Sequence, residues 1–402
     1  MIKVAVLGYG IVGSGVVSVF EKNAAQITRN AGSEIQVKYI LDICDFPGDR
    51  FETLIIKDFE TIINDPEIQV VVEAIGGTGP ALDFTKRSLE AGKNVVTSNK
   101  ELVAEYGSEL MKLAAEKEVN YLFEASVGGG IPVIRPLAQC MTANIISEIY
   151  GILNGTTNYI LTSMEKNNAN FADALKEAQQ KGYAEADPTD DIEGYDTCRK
   201  ICILSSLAFG RHIYPKDVPT EGITKITIND LNYASKLGYE IKLLGRARAI
   251  GDKTAVYVAP HLVNKDNLLS IVSYVMNGVV VRGNAVGNVV LCGAGAGKLP
   301  TASAVVADVI DTAKHLKARK WIRWADSDPS FIADPTLIDS AWYIRTNTSR
   351  DKIKREFGAV LFAEDTGDEN AFITSVISGK KVEELLSRGI TASSVFRILG
   401  DH

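Results

Sequence analysis

Long apolar runs, histidine and cysteine are scarce in this chain. No apolar stretch approaches the roughly 20 residues needed to span a bilayer, which excludes a transmembrane helix. The four histidines (His212, His261, His315, His402) have neither metal-ligand spacing nor a carboxylate partner in sequence, so each reads as structural or solvated. The five cysteines (Cys44, Cys140, Cys198, Cys202, Cys292) are odd in number, widely spread and match no zinc spacing. Cys198 and Cys202 share a helix face, where packing is the simpler role for two thiols without histidines near them. No Lys/Arg block occurs, and 43 basic against 50 acidic residues leave a net charge of -7, which argues against a nucleic-acid partner. No long polar or Pro-rich tract suggests disorder. Met1 to Leu7 run straight into a strand, leaving no room for a signal or transit peptide. These absences describe a reduced, cytoplasmic protein with neither membrane nor nucleic-acid partners.

What is present is globular: 46% hydrophobic and 23% charged residues over 402 positions. That length exceeds one ordinary core and predicts two or three domains.

The N-terminus carries the first motif. Val4 to Leu7 form a short apolar strand, then comes Gly8-Tyr9-Gly10-Ile11-Val12-Gly13, then a helical pattern through Val16, Val17 and Phe20. This is GxGxxG with a strand before it and a helix after it. The first glycine turns the chain, the second admits a pyrophosphate to the backbone, and the third lets helix and strand pack. The phosphates would then meet unpaired N–H groups at the helix N-terminus. Ile35 to Ile43, Val70 to Ala74 and Asn94 to Thr97 continue as strands of a doubly wound sheet. Gly76, in Ala74-Ile75-Gly76-Gly77, and Ser98 and Lys100, in Thr97-Ser98-Asn99-Lys100, fall at strand ends, where such sheets bind ligands. The second strand ends Leu41-Asp42-Ile43-Cys44-Asp45 with no arginine before Arg50. An acidic residue there suits the ribose hydroxyls of NAD, although Lys57 could reach a 2′-phosphate.

A second motif lies mid-chain. Gly182-Tyr183-Ala184-Glu185-Ala186-Asp187-Pro188 leads through Asp191 to Asp196 and Lys200, with a helical pattern from about Ile192. Asp196 and Lys200 are four residues apart and share one helix face. An isolated pair of this kind is ordinarily a surface ion pair worth about 0.3 kcal/mol. Here the face continues into Ile203, Leu204 and Leu207, so Lys200 heads a core-facing stripe, where a charge is costly unless paired. Perturbed ionisable groups of this kind cluster at functional sites.

These residues resemble homoserine dehydrogenase, which interconverts L-aspartate 4-semialdehyde and L-homoserine in threonine and methionine biosynthesis. The resemblance runs in order over roughly residues 1–325. Besides the segments above, it includes Phe123 to Pro132, Gly151-Ile152-Leu153-Asn154-Gly155-Thr156-Thr157-Asn158-Tyr159, and Gly293-Ala294-Gly295-Ala296-Gly297-Lys298-Leu299-Pro300-Thr301-Ala302-Ser303-Ala304. It implies that Lys200 is the proton donor and acceptor, with Lys100 a second active-site lysine beside the nicotinamide. Glu185, Asp191 and Asp196 would bind substrate, and Gly182 would lie near it. The dinucleotide would touch Gly8, Gly10, Ile11, Val12, Gly13, Asp45, Gly76, Ser98, Lys100 and Gly297. Glu124, Val127, Gly129 and Ile131 would form a sodium site, mostly of backbone carbonyls. NADP-preferring members commonly end the second strand with Arg-Asp; this chain has Cys44-Asp45, which turns the expectation toward NAD. The family's Gly-Pro-Gly-Ala-Gly reads Gly-Ala-Gly-Ala-Gly here.

The expected fold is α/β: an N-terminal Rossmann dinucleotide-binding domain over 1–134, rejoined by 300–325, then an α+β substrate and dimerisation domain with a mixed sheet over 135–299. Strands are expected at Ile146 to Leu153, Thr254 to Val258 and Val286 to Leu291, with helices at Phe171 to Lys181 and Asn229 to Leu244. Over 335–402 the order βαββαβ resembles a small ACT-like module, regulatory or structural, with Ser349-Arg350-Asp351-Lys352 where that family has Asp-Arg-Pro-Gly. The resemblance also implies a homodimer or higher homo-oligomer.

Two other readings fit less well. An acylating semialdehyde dehydrogenase needs a cysteine nucleophile, and no cysteine sits in a motif with a base. A retired enzyme kept as a sensor predicts loss of Lys200, Asp196 or Glu185, and all three are present. A fused aspartate kinase is not expected, since one strand precedes Gly8.

Overall fold

The computed structural model describes residues 1–318, 320, 322–364 and 367–400. His402, read from sequence as structural or solvated, lies outside the described residues. The chain divides into two compact units. The first holds Met1–Ile145, Cys202–Pro215 and Gly293–Asp328; the second holds Ile146–Ile201, Lys216–Cys292 and Pro329–His402.

In the first unit, β1 (Ile2–Leu7), β2 (Ile35–Leu41), β3 (Ile55–Ile56), β4 (Ile68–Glu73), β5 (Asn94–Thr97) and β6 (Tyr121–Leu122) form one sheet. Its order is β3-β2-β1-β4-β5-β6, and every pairing is parallel. Strands covered on both faces read as unbroken apolar runs, and Val4, Val6, Val70 and Val72 are indeed fully buried. Helix Ile11–Lys22 packs Val16, Val17 and Phe20 into the same core as Ala302, Val305, Val306 and Val309 of helix Lys298–Lys314. The predicted strands appear within two residues of their expected ends.

In the second unit, β7 (Ile146–Ile152), β8 (Tyr239–Ile250), β9 (Lys253–Asn264), β10 (Met276–Gly283) and β11 (Gly287–Ala294) are followed by β12 (Asp339–Ser340), β13 (Trp342–Thr346), β14 (Val360–Phe362), β15 (Asn370–Thr374), β16 (Ile377–Ser378) and β17 (Ala392–Ile398). Nine of these make one mixed sheet in the order β11-β10-β7-β8-β9-β17-β13-β15-β14. β17 meets β9 in parallel at Arg397–His261 and Ile398–Leu262, so the sheet of the C-terminal segment continues the larger one. Helices Arg350–Phe357 and Gly379–Ser387 cover the C-terminal part, burying Ile353, Phe357, Val382 and Leu385 against Trp342, Ile344 and Phe372. Arg345 of β13 pairs with the buried Asp230 and with Glu369, each at 2.8 Å.

One expectation is corrected. The helix read over 229–244 is two elements: helix Ile228–Lys236, and then the start of β8. Gly238, with φ +86, turns the chain out of the helix, and β8 then pairs with β9 over its whole length. Twelve-residue pairing outweighs the helical pattern of a segment that ends in Ile, Leu and Leu. β15 and β16 are separate strands, the second paired with β12.

Candidate active site

The second unit builds a charged cluster where β7 ends. Leu153 and Asn154 form the turn, and the Asn154 side chain caps helix Gly155–Asn167 by accepting the Thr157 N–H at 2.8 Å. Helix Tyr195–Phe209 supplies Asp196 and Lys200. The Lys200 side chain is 12% exposed and that of Asp196 is 4% exposed. Lys200 Nζ donates to Asp196 Oδ2 at 2.6 Å and to the Leu153 carbonyl at 2.9 Å. An ammonium has three donors, and the third has no acceptor among the described residues. Asn154 Nδ2 donates both its hydrogens to carboxylates, at 2.6 Å to Asp191 Oδ1 and at 2.8 Å to Asp196 Oδ2. Burial, and then the Asp196 charge, push the Asp191 carboxyl above the usual range.

Lys200, Asp196 and Asp191 therefore form one network. Glu185 stays outside it: its side chain is exposed and bonds to nothing among the described residues. Its segment is tethered all the same. Thr156 Oγ1 donates to the Tyr183 carbonyl at 2.6 Å, and Gly182 (φ +72) turns the chain out of helix Phe171–Gln180.

The first unit presents the glycine-rich turn. A Cβ on Gly13 would lie 1.9 Å from the Gly8 carbonyl oxygen, and Gly8 itself has φ +90. A Cβ on Gly10 would meet no atom within 4 Å, so the backbone is open on that side. Ile11, Val12 and Gly13 begin the helix with no side-chain cap, which leaves donors for an anion. These residues fit a dinucleotide pyrophosphate. At the end of β2, Asp42 accepts the Tyr9 N–H at 2.6 Å and the Cys44 N–H at 2.8 Å. Asp45 lies further out, its side chain 89% exposed and 2.9 Å from Lys57 Nζ. Gly76 and Ser98 follow β4 and β5, and Lys100 opens helix Lys100–Glu116, capped by Asn99. Gly297, with φ +120, precedes helix Lys298–Lys314.

Near the expected cation residues, the Glu124 carboxylate accepts the N–H groups of Val133, Ile134 and Arg135 at 2.7 to 2.9 Å. Its side chain is thus committed, and a cation would find backbone carbonyls there. Val127, Gly129 and Ile131 lie on the same loop, joined to the Gly293–Gly297 segment by the Gly130 N–H to Ala294 carbonyl bond at 3.1 Å.

The family profile described as homoserine dehydrogenase, NAD binding domain, matches residues 8–124, and that described as homoserine dehydrogenase matches 132–310. A Neisseria gonorrhoeae homoserine dehydrogenase is 39% identical over 402 residues, covering 99% of this chain and 91% of that protein. The chain belongs to the homoserine dehydrogenase family. It is accordingly an oxidoreductase with a nicotinamide-dinucleotide-binding domain. The structure of a Thiobacillus denitrificans homoserine dehydrogenase superposes with a TM-score of 0.88 at 37% identity, covering 99% of this chain and 98% of that one. A hyperthermophilic archaeal homoserine dehydrogenase in complex with NADPH gives 0.66 at 27% identity, over 77% of this chain and 97% of that one.

Within this homoserine dehydrogenase fold, sequence reasoning missed the role of Asn154. The signal was available: an asparagine in cap position before a helix, in a chain whose two clustered carboxylates need donors. The Leu153 carbonyl left no such trace, because a backbone acceptor has no residue type.

Proposed function

We propose that Lys200 is the general acid and base in the interconversion of L-homoserine and L-aspartate 4-semialdehyde. The observation that carries this is the Lys200 ammonium itself, nearly buried, held by Asp196 and the Leu153 carbonyl, with one N–H to spare. The bound dinucleotide supplies or accepts the hydride at the substrate carbon. In the reducing direction Lys200 gives its proton to the oxygen of the former aldehyde and stabilises the negative charge that develops there. In the oxidising direction the amine takes the hydroxyl proton. Glu185, Asp191 and Asp196 attract the substrate's α-ammonium group, and Gly182 holds the Glu185 segment. Asp196 also offsets the desolvation of Lys200. Lys100, which opens the helix after β5, accompanies the nicotinamide end of the dinucleotide.

Gly8, Gly10, Ile11, Val12 and Gly13 take the pyrophosphate, with Gly76, Ser98 and Gly297 lining the remainder. Asp42 and Asp45 beyond β2 favour the ribose hydroxyls of NAD, while Lys57 offers a charge to a 2′-phosphate. The related archaeal enzyme bound NADPH, so both cofactors belong in the test. The backbone carbonyls of Glu124, Val127, Gly129 and Ile131 are hard neutral donors suited to a monovalent cation such as sodium. The strand order β17-β13-β15-β14 with two helices supports an ACT-like module at the C-terminus. Leu268 and Ile271, 58% and 76% exposed, support a homo-oligomer.

The test is initial rates of homoserine oxidation with NAD and with NADP, for wild type and Lys200→Ala. Turnover that falls about a hundredfold or more in the variant is expected, with the higher rate on NAD. Wild-type protein that binds dinucleotide and turns over nothing would remove the catalytic reading.

A further inference from the structure

Glu73 is the last residue of β4, and its side chain is 0% exposed. A carboxylate out of water is costly unless other donors replace the water. Here the donors come from two different loops. Oε1 accepts the N–H of Ile75 at 2.8 Å and of Gly76 at 3.3 Å, in the loop leaving β4. Oε2 accepts the hydroxyl of Thr97 at 2.5 Å, at the end of β5. Thr97 Oγ1 in turn accepts the Asn99 N–H at 2.9 Å. Asn99 closes the circuit: Nδ2 donates to the Gly77 carbonyl at 2.6 Å, and Oδ1 accepts the Leu102 N–H at 3.1 Å, capping the helix that opens at Lys100.

All of these partners are neutral. Burial pushes the Glu73 carboxyl up, against the hydrogen bonds from Thr97, Ile75, Gly76 and Asn99. For packing alone, an apolar residue of this size would avoid the desolvation cost. What the carboxylate adds is acceptor capacity, with two oxygens that gather N–H and O–H donors from both loops at once. Those loops carry Gly76, Ser98 and Lys100.

We propose that Glu73 is a positioning residue that locks the loops after β4 and β5 in the arrangement dinucleotide binding requires. This rests on the reading that the dinucleotide lies at those strand ends. It acts through Thr97 and Asn99 and does not take part in the chemistry.

The test is direct titration of NADH and of NADPH, followed by fluorescence, into the full-length protein and its variants, with the homoserine KM and thermal unfolding measured alongside. Glu73→Leu is expected to weaken dinucleotide binding about tenfold or more and leave the homoserine KM within about threefold, since loss of loop order acts on one ligand. Glu73→Gln can present its oxygen to Ile75 and Gly76 and its amide to Thr97 Oγ1, and is expected to stay within about threefold of wild type. A purely structural role would lower the unfolding temperature and leave dinucleotide affinity alone. Should Glu73→Leu fail to fold, Thr97→Val removes the hydroxyl that donates to Glu73 and accepts the Asn99 N–H; weaker binding for Thr97→Val, with Thr97→Ser close to wild type, is then expected. A folded Glu73→Leu or Thr97→Val protein with wild-type dinucleotide affinity would overturn the proposal, as would an equal rise in homoserine KM. Because the titration needs no turnover, it stays informative even if homoserine proves not to be the substrate.

Discussion

Lys200 and Asn154 share one acceptor: Asp196 Oδ2 takes the lysine ammonium at 2.6 Å and the asparagine amide at 2.8 Å. The amide's other hydrogen goes to Asp191. One neutral side chain thus holds two carboxylates beside a cation, and its own oxygen is committed to a helix cap.

Replacing Asn154 by leucine keeps the branched shape and removes both donors together with the capping oxygen. A hydrogen bond to the charged form lowers a carboxyl pKa, so its loss raises the Asp191 value further above the usual range. The acid limb of the kcat/KM profile should move to higher pH, and kcat/KM at pH 8 should fall about tenfold or more. A pH–rate profile of Asn154→Leu unchanged in shape would show that the amide does not govern these carboxylates.

Asp196→Asn removes the carboxylate bonded to the nearly buried Lys200 ammonium and leaves the more distant Asp191 as its remaining counter-charge. Removing one partner of a buried pair costs about 3–5 kcal/mol, and the variant should unfold at clearly lower temperature besides losing activity. Its dinucleotide affinity should match wild type, because the glycine turn is untouched. Calorimetry and NADH titration on the same sample separate the two effects.

Gly10 and Gly13 should respond differently to alanine. At Gly13 the new methyl would stand 1.9 Å from the Gly8 oxygen, so the turn itself must distort and stability should drop by several degrees. At Gly10 the methyl enters open space, so the unfolding temperature should hold within about two degrees while dinucleotide affinity falls about tenfold. Equal affinity for Gly10→Ala and wild type would place the pyrophosphate elsewhere.

His261 should make the fold acid-sensitive. It is wholly buried, its Nδ1 faces the Ala259 carbonyl at 2.9 Å, and burial and then the Arg246 charge hold its titration down to about 3. Arg397 adds to that positive field. An unfolded imidazole titrates near 6.5. Between the two values the unfolded chain binds a proton that the folded chain refuses, so this contribution to stability is complete above about pH 6.5 and shrinks as pH falls. At pH 5 the loss is about 2 kcal/mol. His261→Gln should lessen the fall in unfolding temperature between pH 7.5 and pH 5; an identical fall would assign the acid sensitivity to other groups.

Much of this was legible in the residues. Val4 to Leu7, the glycine turn and the helix through Val16, Val17 and Phe20 are local: strand, turn and helix follow from neighbours within about 20 positions. The same holds for Asp196 and Lys200, whose four-residue spacing on an apolar face already demanded pairing. The helix read over 229–244 failed because Gly238 and a twelve-residue partner strand decided the matter, and a partner is not visible from one segment.

By itself the sequence determined the periodic elements, the parallel nucleotide-binding sheet and the identity of the charged groups, since apolar spacing and glycine placement act at short range. Tertiary structure alone decided which partners distant in the chain those groups touch. Leu153 offers Lys200 a backbone oxygen from 47 positions away, Glu73 reaches Thr97 across two strands, and β17 joins β9 to extend one sheet over both parts of the second unit. Such contacts depend on which buried donors and acceptors are left unpaired once the chain has packed, and that accounting closes only in three dimensions.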